Sequence, residues 1–183
     1  MPRFTGELGQ REEIFRAARM CVPPLDRLGE LTFGDRPADE VGEWAKAVFG
    51  RYLMPSLLEA RDAVVNGGPR ELAAIDQALD RALAGPLAGR SREAGRRVLL
   101  ESSFPPGERR LARYAADVLG GEGGGHLCTV LGVRSAVFHF PPQVALGALV
   151  FLEMRSFPTN EVWNAVATAL NGVPWPGSGL RAA

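Results

Sequence analysis

GHLCTVLGVRSAVFHFPPQVALGALVFLEMRSF, residues Gly125 to Phe157, is the most apolar stretch of the chain, and its reading decides the fold class. Pro141-Pro142 cuts it in two. Before the cut, Leu127, Val130, Leu131, Val133, Val137 and Phe138 fall at helical spacing. After it, Val144 to Leu152 is apolar nearly all round. A helix without a polar face needs cover on every side, so the two halves predict a helical hairpin at the centre of a bundle. A membrane span is the wrong reading. Arg134, His139 and the proline pair interrupt the stretch, and the clean run that follows is well short of the ~20 residues a span requires.

The flanking chain supplies the cover. Glu7 to Met20 predicts a short helix with Ile14, Ala17 and Ala18 inward, ending before Pro23-Pro24. Residues 22–36 read as a loop, with a turn of helix around Leu25 to Leu31. Asp35 stands where a helix cap belongs, with Pro37 in the first turn after it. Val41, Trp44, Val48 and Tyr52 then form an apolar stripe. Pro55 predicts a kink or a break, because proline removes a backbone bond and clashes with the preceding turn. Leu57, Leu58, Val64 and Val65 carry the second segment to Asn66-Gly67-Gly68.

Pro69 opens the next helix, with Leu72, Ile75, Leu79 and Leu83 as its stripe and Gly85 as its stop. Asp76 to Asp80, with Arg81, reads as the solvated face of that helix. Pro86 to Ser103 predicts another helix, Pro105-Pro106-Gly107 a hard stop, and Glu108 to Leu119 a further helix with Tyr114 and Val118 inward. GGEGGG, Gly120 to Gly125, reads as a flexible linker. Thr159 caps a last helix through Leu170, which Asn171-Gly172 ends. No segment alternates as a strand. The expectation is a single all-α domain over residues 1–183: a bundle of seven or eight helices around a central apolar helical hairpin. Residues 1–36 supply an N-terminal helix and loop, and residues 171–183 a flexible tail.

Composition narrows the class of function. With 46% hydrophobic and 23% charged residues among 183, the chain has the make-up of a soluble globular domain. A formal net charge of zero argues against general nucleic-acid binding, which needs a positive excess. The start, MPRFTGELGQREE, lacks the apolar region of a signal peptide. Cys21 and Cys128 lie far apart and fit no CxxC spacing, so two free thiols in a reducing cytoplasm are expected.

No residue constellation announces a reaction. GGEGGG precedes a helix start, as phosphate loops do, but no strand comes before it and no Lys-Ser or Lys-Thr follows. His126 and Cys128 are two apart, on different sides of a helix, and His139 is thirteen residues further on, so metal-ligand spacing is missing. There is no GxSxG elbow, and no pair of carboxylates stands out as acid and base. Catalytic, cofactor and metal residues are therefore all predicted as none.

Two features point toward partners instead. In GRSREAGRRVLL, Gly89 to Leu100, Arg92 and Arg96 share a helix face, with Arg97 beside them and in reach of Glu93. The plain reading is a solvated basic face; the functional one is an arginine patch for an acidic partner. Gly95, in mid-helix, costs about 1 kcal/mol against Ala unless another helix passes close by. In the tail, Trp175 sits between two prolines, where an aromatic docks on its own domain or on a partner.

The order of these pieces resembles the UreF-type urease accessory proteins. A helix ending in AIDQALD (Ala74 to Asp80) is followed by SREAGRRVLL (Ser91 to Leu100), a glycine-rich break, GHLCTVLG (Gly125 to Gly132) and an apolar helix. The family's Ser-x-x-x-Gly-x-x-Leu-Leu element is matched by Ser91, Gly95, Val98 and Leu99, and its Gly-His helix start by Gly125, His126 and Gly132. The resemblance spans roughly Pro37 to Leu170. The N-terminal Leu-Pro-x-Gly-Gly segment and the closing Arg-Leu-x-x-Leu-Gly-Gln region of the family have no counterpart here. The resemblance implies an all-helical, non-enzymatic cytoplasmic protein, working as a homodimer. It would bridge a second accessory protein and a nickel-carrying GTPase during nickel delivery to urease. Arg92, Arg96, His126 and Trp175 are then the expected partner contacts. The rival expectation is a small-molecule-binding helical domain with its pocket between the hairpin and the Val41 to Tyr52 helix.

The helical stripe of Pro69 to Leu83 makes a direct prediction. Leu79→Asp places a charge in the core and should abolish the cooperative thermal transition seen by circular dichroism. An unchanged melting point would contradict the stripe.

Overall fold

The structure is a computed structural model and describes residues 4–23, 25–102 and 109–174. Every regular element among these residues is helical. The elements are α1 (Leu8–Cys21), α2 (Val41–Trp44), a π-helical segment (Ala45–Leu53), α3 (Met54–Asn66), α4 (Pro69–Ala82), α5 (Gly85–Glu101), α6 (Arg109–Gly120), α7 (Leu127–Val137), α8 (Pro142–Glu153) and α9 (Thr159–Gly172). Because α2, the π segment and α3 run on without a break, the bundle has eight helical rods among the described residues. Short 3-10 turns, Leu25–Arg27 and Ala38–Glu40, punctuate the chain between α1 and α2.

The apolar hairpin is the centre of the bundle. All residues of α7 from Leu127 to Ser135 are buried, as are those of α8 from Val144 to Val150. α3 and α5 pack on α7, while α1 and α9 pack on α8. Gly132 lets α3 come close: a Cβ there would stand 2.6 Å from the Leu57 carbonyl oxygen. The one charge inside α7 has a structural task. Arg134 donates to the Cys21 and Met20 carbonyls at 2.6 and 3.1 Å, satisfying the open C-terminal end of α1.

Proline and cap chemistry set the helix ends, with some differences from expectation. Pro55 neither breaks nor sharply separates its helix. The turns before it widen into the π segment, where the Met54 N–H reaches back five residues to the Phe49 carbonyl. A wider turn relieves the clash that a proline ring makes with the carbonyl four residues earlier. Asp35 caps nothing, since the entry to α2 is the 3-10 turn after Pro37. Pro158, rather than Thr159, is the cap residue of α9. Gly85 opens α5 instead of closing α4. α4 ends on Leu83 in an extended conformation, so no left-handed glycine is needed there. The predicted stop at Pro105-Pro106-Gly107 lies outside the described residues.

Candidate functional site

The least expected feature is on α4. Asp76 follows Ile75 in the inward stripe and is only 1% exposed, so it does not belong to a solvated face. Its carboxylate takes three donors. Oδ2 accepts from the Tyr114 hydroxyl at 2.9 Å and from the Gly125 N–H at 2.7 Å, and Oδ1 accepts from the His126 N–H at 3.1 Å. Two of these donors are open backbone amides at the start of α7, whose own cap residue, His126, makes no side-chain cap bond. Asp76 therefore caps α7 from another helix, with its negative charge on the positive end of the helix dipole. Tyr114 brings in α6. Burial first, then the Asp76 charge and hydrogen bond, holds its phenol well above the usual range, so the proton stays on the bridging oxygen.

A second layer extends the network. His126 Nε2 lies 3.1 Å from Asp80 Oδ1, one turn along α4, and the same oxygen accepts from Arg92 Nη1 of α5 at 2.6 Å. Burial lowers the His126 pKa more than Asp76 and Asp80 raise it, and Arg92 lowers it again. A neutral ring with its proton on Nε2 donates to Asp80. That tautomer also leaves Nδ1 as a bare acceptor, and Nδ1 is buried without a hydrogen-bond partner among the described residues. α5 is held close by Gly95, where a Cβ would sit 2.0 Å from the Gly125 carbonyl oxygen. Gly125 itself has φ +65°, backbone that favours glycine. The glycine run is thus a close-packed crossing in its last two residues, not a free linker.

The predicted site residues separate. Arg92 joins the network through Asp80. Arg96 is directed at the C-terminal end of α6, donating to the Val118 and Leu119 carbonyls at 3.1 and 3.4 Å. Its neighbours are also engaged: Arg97 with Glu93 and the Arg27 carbonyl, Arg90 with Glu30 at 2.7 Å. The basic run on α5 is therefore largely neutralised within the chain. His126 has no exposed surface, which corrects its placement as a partner contact: a ring enclosed by α4 and α7 presents nothing outward. Trp175 lies outside the described residues. Sequence reasoning missed Asp76 and Tyr114, since an Asp beside a stripe and a Tyr within one carry no local sign that they pair.

Asp76, Tyr114 and His126 are buried, while Asp80 and Arg92 at the outer edge of the network are partly exposed. A cleft of about 760 Å³ lies between α1, the 22–35 loop and the end of α8. This differs from the expected position beside the Val41 to Tyr52 helix. Phe15, Arg19, Leu28, Phe151 and Arg155 line it, with Glu153 at its floor. The buried Glu153 carboxyl accepts from the Phe33 N–H at 2.9 Å. Arg155 donates to the Leu28 and Gly29 carbonyls, so the last turn of α8 and the residue pair after it hold the loop in place. No group of three or more His, Cys, Asp and Glu side chains suited to a metal ion occurs among the described residues. Both cysteines are buried, and burial pushes the Cys21 thiol up to about 12 and the Cys128 thiol higher still. No family model, curated protein or solved structure matches the chain.

Two outcomes are expected. Gly89 and Gly95 lie on the same helix, but only Gly95 is crowded. Gly89→Ala should add about 0.5–1 kcal/mol in denaturant unfolding, whereas Gly95→Ala should remove about 3 kcal/mol or more. Equal effects would contradict the crossing. The second outcome concerns pH. Burial lifts the Glu153 carboxyl from the ordinary 4.5 to about 7. Between those values the folded chain keeps a proton that the unfolded chain has released, so stability falls as pH rises through the window. Glu153→Gln should thus gain about 2–3 kcal/mol on the native chain between pH 4.5 and pH 8. A constant difference across that range would contradict the placement.

Proposed function

We propose that this chain is a non-catalytic scaffold of the UreF type, bridging a second urease accessory protein and a nickel-carrying GTPase. The carrying observation is the convergence of the residues behind the resemblance. Asp76 of AIDQALD, Gly95 of SREAGRRVLL, and Gly125 and His126 of GHLCTVLG come from three separated stretches and meet at one joint. Ser91, Val98 and Leu99 are buried on α5, and Gly132 is pressed against α3. Such a pattern serves architecture. The inner part of the polar network, Asp76, Tyr114 and His126, is buried and engaged in joining helices, which supports a protein whose work is done by its outer surface. Homodimerisation and cytoplasmic location belong to the same proposal.

The small-molecule reading retains one favourable observation, the cleft beside Phe15 and Glu153. Its size falls within the range of ligand pockets. A metabolite that raises the melting temperature of the isolated chain would favour that reading.

Co-expression with a urease-accessory GTPase and its companion accessory protein tests the proposal. A stable ternary complex is expected by size-exclusion chromatography, with nucleotide-dependent retention of the GTPase. Arg96→Glu should weaken that complex. It should also lower stability by about 1 kcal/mol, since two α6 carbonyls lose their donor. Absence of a complex in every nucleotide state, or substrate turnover by the purified chain alone, would overturn the proposal.

A further inference from the structure

α1 carries a row at four-residue intervals: half-buried Arg11, then exposed Phe15 and Arg19. These side chains continue into a ladder of rings. The Arg19 guanidinium lies 5.8 Å from the Phe15 centroid. Phe15 meets Phe151 of α8 edge-on at 5.7 Å, and Phe151 stacks on Trp163 of α9 at 5.3 Å. The Arg11 guanidinium closes the ladder, 5.7 Å from the Trp163 centroid. The result is a three-helix surface of aromatic rings with a cation at each end. Phe15 is 43% exposed, and Leu8, one turn before Arg11, is more exposed still.

The charge on this face is unspent. Neither Arg11 nor Arg19 has a carboxylate within ion-pair distance among the described residues, and Arg11 Nε is buried without a hydrogen-bond partner there. Arg90, Arg92 and Arg97 of α5 are, by contrast, all paired with acids. Arg16, further round α1, rests over the Phe140 ring at 5.5 Å, again without an acid. Glu7, which caps α1 one turn before Arg11, and Glu12 are the exposed acids nearest this row, and neither is within ion-pair distance of Arg11 or Arg19. Resting over rings limits the freedom of the guanidinium groups, so less is lost when they bind a carboxylate. Exposed aromatics beside arginines form the composition of interface hot spots.

We propose that the row Arg11–Phe15–Arg19 is the docking surface for an acidic amphipathic helix of a partner protein. Eight residues of α-helix separate the two cations by about 12 Å. The complementary helix carries two carboxylates about two turns apart, with an apolar side chain between them facing Phe15. The cleft beyond Phe15 and Phe151 gives that apolar side chain room to insert. Asp26, Glu30 and Asp35 on the loop side of the cleft repel an acid placed there, which confines the carboxylates to the arginine row. This surface is separate from the α5 arginines and does not depend on a urease partner.

The test uses the full chain and a synthetic labelled helix of about four turns, with two Glu two turns apart flanking Leu on an Ala/Gln background. A second peptide carries Lys in place of Glu. Fluorescence anisotropy should show the Glu peptide binding in a salt-sensitive manner and the Lys peptide binding at least about tenfold more weakly. The Arg11→Glu/Arg19→Glu variant should invert that preference, a rescue that a merely structural role for the arginines would not produce. Circular dichroism checks that the variant is folded; if it is not, Arg11→Gln/Arg19→Gln replaces it and should erase the preference. Equal binding of both peptides, or an unaltered preference in the variants, would overturn the proposal. So would a sedimentation-detected dimer of the native chain that the same substitutions dissociate, because a second copy would then occupy the face.

Discussion

The structure depends on a carboxylate that has left water. A buried, unpartnered charge would be too costly to keep, and Asp76 is buried. Three donors make it tolerable, and each donor carries an element with it: the Tyr114 hydroxyl brings α6, and the Gly125 and His126 amides bring the start of α7. The requirements then spread. The glycine run must deliver its last amides to one oxygen pair, and Gly95 must yield the space into which the Gly125 carbonyl projects. His126, Asp80 and Arg92 add a tie to α5. Four successive helices, α4 to α7, are fixed against one another by a single side chain and its neighbours.

Arg134 does comparable work at the other end of the hairpin, where it satisfies carbonyls of α1 from inside α7. The bundle is therefore not held by apolar contact alone. Its oily centre decides which helices are covered, while two buried ions decide where helix ends meet. Most of the α5 cations are engaged internally, whereas Arg11 and Arg19 of α1, beside Phe15, have no acid within ion-pair distance among the described residues.

Local patterns made the architecture legible. The proline-split apolar stretch, the stripe Leu72, Ile75, Leu79 and the burial of Ile14, Ala17 and Ala18 all follow from spacing along one helix. The mid-helix cost of Gly95 pointed correctly to a close passage. The joint itself was not legible, because its signals are pairwise and distant. Spacing places Asp76 inside the stripe, four residues from Leu72 and three from Leu79, but its residue type reads as surface until its partners are known; Gly125 lies 49 residues away and Tyr114 lies 38 away. Glycine runs are ambiguous in the same sense, since the residue that permits motion also permits contact. The arginines of α5 read as a patch because three of their partners, Glu30, Asp80 and the α6 carbonyls, come from other elements. Helix entries shifted by a residue or two at α2 and α9, where proline rather than a capping side chain sets the boundary.

The most direct measurement is a double-mutant cycle on Asp76→Ala and Tyr114→Phe, read by denaturant unfolding. If the carboxylate is the tie between α4, α6 and α7, the two substitutions should couple by at least about 1 kcal/mol. Losses that add to within about 0.5 kcal/mol would mean that these residues act independently, and that the joint is not what fixes the bundle.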